Sequence, residues 1–492
     1  MNSGVRRLTV GSAHSQRSAP ASAAHGRARG RPGAVRANVI WLAFLSVFAA
    51  LAAVDIVVVY EISTAAGVLL PIAAVGALAV WRAPIMGVCA GILAVPLEGF
   101  GLRLGDFAGL SIAEACFIGT AAATALRWVV AGGLRPVHGA HAAFALLLLM
   151  MVGGYAVAQD PRIVTKILLM WSAFLVVSML VARASSKELQ RVLLSLGISA
   201  GVVGAVAILG AGEQELVSGG AIAIGRAQGT FDQPNLLGFF LALTIPVAVL
   251  MASRGPWVRR TAMLVAGGVA FAGLMLTLSR TSIVGTFVAL LVLLAWRPLR
   301  RAAAVGLASL AVFALFNNGT LQQAEQVQVV GQRLGALASQ GIGGDPGRYT
   351  LYTQTPEVII DHPVLGVGQG NFSIAAAKYG IRDPDGLPFD HAHNLPLTVA
   401  AETGLLGLAA LILFAAFVIR ASSRALSRRT AVWPMALAST AALSAITVIS
   451  LGDYPLRANV IMATILIHVG VIIGCERLAR SDAPSDLRSL VS

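Results

Sequence analysis

Long apolar runs, separated by short polar segments, make up most of this chain. A helix needs about 17 to 25 apolar residues to cross a bilayer, and most of these runs reach that length, although 84–98 and 282–296 are short. The pattern predicts an all-α fold, a polytopic integral membrane protein with about 12–14 transmembrane helices. The predicted spans are 38–60, 63–80, 84–98, 108–131, 140–158, 163–182, 189–210, 235–252, 258–278, 282–296, 302–317, 395–419, 431–451 and 457–475.

Two polar stretches outside the cytoplasm are large, 211–235 and 318–394. The second has helical periodicity at 321–340, a glycine-rich break, and a predicted helix in YTLYTQTPEVIID that ends before Pro363. Loops of this length are usually functional or disordered, and the apolar spacing favours an ordered lid. The predicted domains are a basic, disordered cytoplasmic tail at 1–37, a transmembrane bundle at 38–317, the partly helical loop with the candidate site at 318–394, C-terminal transmembrane helices at 395–475 and a cytoplasmic tail at 476–492.

Composition and charge support a membrane protein and set its orientation. Only 12% of residues are charged and the mean hydropathy is +0.80, whereas soluble domains have about 25% charged residues. Cytoplasmic loops collect Lys and Arg, and 26 of the 36 basic residues lie in segments that this topology places inside, together with both termini. The net charge of +14 is therefore explained by contact with anionic membrane lipids, and nucleic acid is not an expected partner. The three cysteines have no disulfide or metal-ligand spacing.

A pair of histidines stands where the large loop meets the next apolar run, in DHAHNLPLTVAAETGLLGLAAL. A neutral imidazole near pH 7 is a suitable general base, and His393 is the candidate; the alternative is an interfacial histidine with a structural role. A metal site on His391 and His393 is the weaker interpretation, because no other ligand spacing accompanies them. Alternate residues of an extended segment also point apart.

Three arginines on the outer side depart from the positive-inside pattern: Arg226, Arg280 and Arg348. A guanidinium binds phosphate oxygens in bidentate fashion, so the three together predict a diphosphate-binding pocket. Arg280 lies between two apolar runs with almost no loop, where a charge usually faces a cavity or a partner. The alternatives are that Arg226 is an interfacial anchor and that Arg348 pairs with an acid of the loop.

Four further residues are supporting candidates. His391 and Asn394 flank His393, Glu402 lies inside the apolar run that follows, and Asp453 stands in LGDYPLR. Glu402 is expected either to orient the histidine or to cap neighbouring groups, and Asp453 is expected to support the site or to form a plain ion pair with Arg457. GVGQGN (366–371) has the wrong spacing for a dinucleotide fingerprint and is interpreted as a turn.

Four segments, taken together, resemble the O-antigen ligase and O-antigen polymerase superfamily of bacterial inner membranes, which also holds protein O-oligosaccharyltransferases. They run from about Arg226 to Gly407 and are RAQGTFDQPNLLGFFL, LTLSRTSIVG, RYTLYTQTPEVIIDHPVLGVGQGNF and HAHNLPLTVAAETGLLG. The resemblance implies an inverting glycosyltransferase that takes a glycan from undecaprenyl diphosphate at the periplasmic face, without cofactor or essential metal. His393 then matches the base that deprotonates the acceptor, and Arg280, Arg226 and Arg348 match diphosphate-binding arginines.

The acceptor stays open among a glycolipid, a glycan and a protein. Lipid A core would make the protein a ligase of lipopolysaccharide biosynthesis, a growing glycan end a polymerase, and a Ser of a secreted protein an oligosaccharyltransferase. A single large loop with the HN motif at its end, 318–394, favours the ligase, by analogy. A transporter of an anionic lipid or solute would use the same arginines as a transit site, but no repeated halves are visible in the sequence. A non-enzymatic assembly subunit would have no clear need for outer arginines beside a histidine.

Overall fold

The computed structural model describes residues 80–99, 101–103, 109–131, 137–210, 215–217, 221–223, 226–297, 300, 304–308, 346–383 and 386–481. Within these residues, nine helices are long and apolar enough to cross a membrane, and two shorter apolar helices accompany them. The expectation of an all-α, multi-pass membrane protein is confirmed. The predicted spans 38–60, 63–80 and 302–317 lie outside the described residues, apart from residues 80 and 304–308.

Thirteen helices and four short strands are named here in chain order. The helices are α1 (Pro84–Ala94), α2 (Ile112–Val130), α3 (Gly139–Gly153), α4 (Pro161–Ala182), α5 (Ser186–Leu209), α6 (Pro234–Ala252), α7 (Trp257–Leu276), α8 (Arg280–Leu293), α9 (Pro346–Asp361), α10 (Phe372–Lys378), α11 (Leu395–Ser427), α12 (Trp433–Ser450) and α13 (Asn459–Ser481). Single 3₁₀ turns cover Val95–Leu97, Gly154–Ala156 and Pro455–Arg457. Strand β1 (Gly101–Arg103) pairs antiparallel with β2 (Gly109–Ser111), and β3 (Glu215–Val217) with β4 (Ala221–Ala223).

Three helices form the inside of the bundle. Buried residues make up 94% of the most apolar window of α13, 83% of that of α6 and 72% of that of α12, against 28% for α7. A helix that is apolar on every side can be buried on every side, and α6 meets this condition with only Thr244 as a buried polar side chain, which bonds to the carbonyl of Phe240. The two spans whose apolar runs are short, α1 and α8, are short helices in the structure.

Helix α11 is broken near its start, and the break is joined to the glycine-rich turn. Gly404 has non-helical angles (φ 68°, ψ −175°), which interrupts the hydrogen bonds of the preceding turn. The carbonyls of Ala401 and Glu402 accept bonds from the backbone N–H groups of Val367 and Gly368 instead, each at 2.9 Å. Buried backbone groups need such partners, so GVGQGN is a turn, as predicted, and it completes a broken helix.

The described part of the large loop packs as a small layer over the start of α11. Helix α9 covers the predicted YTLYTQTPEVIID helix and is followed by α10. Both helices supply side chains to one apolar cluster that also contains Ala392, beside the histidines, and Ala401 of α11. The segment 321–340, expected to be helical, lies outside the described residues. Packing of α9 and α10 fixes the backbone on which the histidines are carried.

Candidate active site

The chain turns sharply at His393, just before α11 begins. Asn394 caps the helix by accepting a bond from the backbone N–H of Leu397 (3.0 Å), and its Nδ2 donates to the carbonyl of Leu451 (2.9 Å). His393 itself has a φ of 46°, in the left-handed region that only a few per cent of non-glycine residues adopt. Such conformations persist where the surroundings determine them, and here the cap and the tie to Leu451 do so. Asn394 therefore holds the backbone of His393 in place.

A continuous series of hydrogen bonds joins the candidate base to a candidate arginine. Nδ1 of His393 lies 3.2 Å from Oδ1 of Asp453. The other carboxylate oxygen, Oδ2, accepts from Nδ2 of Asn235 at 3.0 Å. Oδ1 of Asn235 in turn accepts from Nη2 of Arg226 at 2.6 Å. Three segments that are far apart in the sequence thus meet at one small polar centre.

The partners of Asp453 determine the protonation of the His393 ring. Burial alone would raise the pKa of Asp453, but the close approach of His391 and His393 lowers that pKa below the usual value, so the group is an ionised carboxylate. An ionised carboxylate only accepts hydrogen bonds, which places a proton on Nδ1 of His393. In the neutral ring the lone pair is then on Nε2. The His393 side chain is 28% exposed.

The rings of His391 and His393 lie side by side, contrary to the expectation that they point apart. Their centroids are 4.2 Å apart, and Nε2 of His391 is 3.5 Å from the same oxygen of Asp453. The expectation was wrong because the left-handed backbone at His393 makes the segment a turn instead of an extended strand. Ligand atoms of these three residues lie within 4.8 Å of one another, so the group has the composition of a metal site. Burial lowers the pKa of His391, against the opposing effect of Asp453.

Arg226 and Arg280 come from backbone segments that are bonded to each other. The N–H of Ala227 donates to the carbonyl of Leu276 at 3.0 Å, and Nε of Arg226 donates to the carbonyl of Thr277 at 2.8 Å. The turn that follows contains Leu278, whose φ is 50°, and Arg280 is the first residue of α8. The positive end of a helix dipole favours anions. Arg226 and Arg280 thus lie on either side of the turn at Leu278, and the bond from Arg226 to the Thr277 carbonyl fixes its side chain there.

Arg348 belongs to the first turn of α9, one helical turn before Tyr352. The Tyr352 hydroxyl donates to the carbonyl of His393 at 3.3 Å, and residues four apart lie on the same face of a helix. The face of α9 that carries Arg348 is thus the face that contacts the histidine turn. No signal in the sequence singled out Tyr352, because an aromatic residue in an amphipathic loop helix is ordinarily a packing residue.

Glu402 serves the broken helix rather than the histidines. It is 2% exposed and accepts bonds from Nε2 of Gln369 (2.6 Å) and from the backbone N–H of Phe372 (3.4 Å). Gln369 also donates to the Tyr454 hydroxyl at 3.0 Å. Of the two roles considered for Glu402, capping of neighbouring groups is the one observed among the described residues.

The ion pair considered for Asp453 and Arg457 is not the main contact of either residue. Asp453 bonds to His393 and Asn235. Arg457 donates to Gln233 and lies 3.8 Å from Asp390. Asn235, which links Asp453 to Arg226, was not among the residues predicted from the sequence. Its only signal is a polar side chain at the start of a predicted span, in the segment that contains Arg226.

Comparison with known proteins finds a family match over part of the chain. Residues 262–412 match the model of a protein family described as O-Antigen ligase, so the resemblance drawn from the sequence is confirmed over that segment. The segment contains His391, His393, Arg280, Arg348 and Glu402. No curated protein matches the chain.

One similar solved structure is described as "Structural coordination of polymerization and crosslinking by a peptidoglycan synthase complex". The likeness has 16% sequence identity and a TM-score of 0.38, and it covers 69% of this chain and 97% of the other. Similarity at that level supports no conclusion about this protein.

Proposed function

We propose that this protein transfers a glycan from an undecaprenyl diphosphate carrier to an acceptor hydroxyl at the periplasmic face of the bacterial inner membrane. It would act as an O-antigen ligase in lipopolysaccharide or surface polysaccharide assembly. The family match over 262–412 supports the reaction class. The observation that carries the proposal is the Asp453–His393 pair, joined through Asn235 to Arg226. A base and a phosphate-binding cation are the two groups that such a transfer requires.

In the proposed step, Nε2 of His393 takes the proton of the acceptor hydroxyl as the oxygen attacks the anomeric carbon of the donor sugar. The bond from that carbon to the diphosphate oxygen breaks, and undecaprenyl diphosphate leaves with the electron pair. Attack opposite the leaving group inverts the anomeric carbon. Asp453 keeps the proton of His393 on Nδ1 and stabilises the imidazolium that forms, the role that a buried carboxylate has beside a catalytic histidine.

The arginines would hold the diphosphate and stabilise its growing negative charge. Charge-assisted bonds from guanidinium groups to phosphate are strong and bidentate, and fixed cations that face developing charge lower the barrier. Arg280 and Arg226 flank the turn at Leu278, and Arg348 is carried on the helix face that contacts His393. A diphosphate held by these groups is a good leaving group without a protonating acid, so one base is sufficient.

The test is transfer of labelled glycan from undecaprenyl diphosphate in proteoliposomes. His393→Ala and Arg280→Ala should each lower the rate by at least about 100-fold, since a general base contributes about 10²–10⁴-fold and loss of one charge-stabilising donor has a similar effect. His362→Ala is the matched control, because His362 is an exposed histidine of the same loop and should leave the rate unchanged. Full activity of both site variants would refute the proposal.

Separate acceptors in the same assay distinguish the members of the superfamily. Transfer to lipid A core identifies a ligase, extension of a glycan end a polymerase, and transfer to a Ser-containing protein an oligosaccharyltransferase. A transporter of an anionic lipid or solute would catalyse none of these and would tolerate His393→Ala. Movement of labelled lipid across the bilayer that is independent of His393 would favour that alternative.

A further inference from the structure

A polar cavity of about 530 Å³ adjoins the histidine pair and is lined in part by His391. Its size falls within the range of about 300–1,000 Å³ that small-ligand sites occupy. Among its described lining residues are Asp232, Asp390, His391 and Arg457. The Asp390 side chain is 73% exposed, so one end of the cavity is open to solvent. Neither His393 nor Arg226 lines it, and the reaction described above leaves the cavity unused.

His391 lines this cavity and is an unsatisfied polar side chain. It is 4% exposed, and neither ring nitrogen has a hydrogen-bond partner among the described residues. Nε2 lies 3.5 Å from Oδ1 of Asp453 but without hydrogen-bond geometry, and Nδ1 has no hydrogen-bond partner either. A buried polar group without a partner is costly, so a bound ligand that supplies hydrogen bonds would be favoured there. The adjacent His393 ring, 4.2 Å away, places that ligand beside the proposed base.

The lining combines hydrogen-bond acceptors and donors in a way that suits hydroxyl groups. Five lining residues are acidic and two are basic; the acids are Glu98, Glu114, Asp232, Asp390 and Glu402, and the bases are Lys166 and Arg457. A sugar hydroxyl both donates and accepts, so it can use carboxylates and amide or cationic donors at once. Burial raises the pKa of Glu98 to about 7, and the Glu402 carboxylate already accepts bonds from Gln369 and Phe372. The excess of negative charge is therefore carried by Glu114, Asp232 and Asp390, and it disfavours a phosphate group, because like charges at short range repel.

We propose that this cavity binds the terminal sugar of the acceptor, and that it selects a neutral or amino-bearing sugar over a phosphate-bearing one. The inference rests on the proposed function, since it assigns the second substrate of that reaction. His391 would bond to a hydroxyl of the bound sugar and so deliver the neighbouring hydroxyl to His393. The acceptor hydroxyl and the diphosphate would then lie on opposite faces of the anomeric carbon, as an inverting displacement requires.

Binding to the purified full-length protein in detergent tests the cavity without relying on catalysis. The probes are the octyl glycosides of glucosamine, glucose and glucose 6-phosphate. We expect the glucosamine and glucose probes to bind more tightly than the phosphate probe by at least about tenfold, which corresponds to one lost polar contact or one unfavourable charge contact. Equal or tighter binding of the phosphate probe would overturn the proposed selectivity.

Two variants locate the binding. His391→Phe keeps a ring and removes both nitrogens, so it should weaken binding of the glucose probe by about tenfold while the thermal midpoint stays equal or rises. A purely structural histidine would instead give a lower midpoint and unchanged binding. Asp232→Arg changes an exposed lining residue and should reverse the preference between the glucosamine and phosphate probes. Glu357→Arg, on α9 and outside the described lining, should not.

The same variants in the proteoliposome assay separate this inference from the proposed function. If the probes bind as expected but no glycan is transferred to any acceptor, the proposed reaction fails and the sugar site stands. If transfer occurs and His391→Phe changes neither probe binding nor the KM for the acceptor, the cavity is not the acceptor site. If the proposed reaction and the proposed sugar site are both correct, His391→Phe raises the KM for the acceptor and leaves the KM for the donor unchanged.

Discussion

Replacement of Asp453 by Asn tests the hydrogen-bond series that defines the site. Three donors point at this carboxylate: Nδ1 of His393 and the N–H of Tyr454 at Oδ1, and Nδ2 of Asn235 at Oδ2. A carboxylate accepts all three, whereas an amide has one accepting atom and one donating group. In Asp453→Asn at least one of these contacts must therefore become donor against donor.

Either orientation of the new amide is harmful. If its NH₂ group faces His393, Nδ1 must become the acceptor and the proton moves to Nε2, so the base is lost. If the NH₂ group faces Asn235, that side chain must flip and present its own NH₂ group to Nη2 of Arg226, which is now 2.6 Å from its oxygen. The second arrangement places an NH₂ group against the half-buried guanidinium of Arg226, which is repulsive. The first arrangement, with the NH₂ group facing His393, removes most of the rate enhancement that a general base contributes.

We expect the transfer rate of Asp453→Asn to fall by about 10²–10⁴-fold, which is about 2.7–5.5 kcal/mol of transition-state stabilisation. The assay is single-turnover transfer in proteoliposomes at saturating donor and acceptor, with thermal unfolding as a check on folding. The control is Asp361→Asn, an exposed aspartate whose hydrogen bond from Tyr379 (2.7 Å) an amide can still accept.

The double variant Asn235→Asp with Asp453→Asn sharpens the test. The carboxylate introduced at position 235 would accept from both Arg226 and the new NH₂ group, and the amide oxygen at position 453 would again accept from His393. Every hydrogen-bond direction at the ring is then restored, so the double variant should recover at least about tenfold over Asp453→Asn, a coupling of about 1.4 kcal/mol. Full activity of Asp453→Asn, or a double variant no better than the single one, would refute the reasoning.

Two further predictions concern the broken helix and metal. Gly404→Ala should destabilise the protein by about 2 to 5 kcal/mol, because the backbone there has a φ of +68° and an added Cβ would lie 2.1 Å from the Val364 carbonyl oxygen. The control is Gly380→Ala, at a φ of +70° with open space around it, which should cost only about 1 to 2 kcal/mol. Equal thermal midpoints for the two variants would contradict this account. Treatment with EDTA followed by dialysis should leave transfer unchanged, whereas loss of activity that a divalent metal restores would make His391, His393 and Asp453 a metal centre.

Much of the fold was predictable because bilayer thickness imposes a length on apolar runs. The candidate chemistry was partly predictable for a related reason: charges are costly near hydrocarbon, so His393, Arg226 and Arg280 stood out at the ends of apolar runs. Partners such as Asn235 and Asp453 were not predictable as a pair. They are 218 positions apart, and hydropathy carries no information on which helix ends meet.

Local backbone geometry was the other source of error. The expectation that His391 and His393 point apart assumed an extended segment, and nothing in HAHN indicates a left-handed residue at His393. That conformation is set by tertiary contacts, including the tie from Asn394 to Leu451. Likewise Gly404 reads as a tolerated glycine in an apolar helix, although it is the point where the helix breaks. Sequence periodicity predicts regular elements and gives least information where they end.

The site lies where several helices end, and this bears on its side of the membrane. Helices α6, α11 and α13 begin beside the site, α12 ends beside it, and the turn between α7 and α8 carries Arg226's partner Thr277. The opposite ends of these helices, about 21 to 35 Å away for the unbroken ones at 1.5 Å per residue, carry a different set of charges. They are rich in arginine: Arg254, Arg259, Arg260, Arg297, Arg424, Arg428, Arg429, Arg477 and Arg480.

The remote ends are therefore the ends that the positive-inside rule assigns to the cytoplasm. Glu476 near the end of α13 neutralises part of that charge through His138, Arg424 and Arg480. The basic excess and the hydrogen-bonded histidine pair thus segregate to opposite ends of the same helices. A site that uses a lipid-linked donor outside the cytoplasm must have this arrangement. Cysteine labelling from each side of sealed vesicles, at residue 390 and at residue 428, would give the opposite pattern if the orientation were reversed.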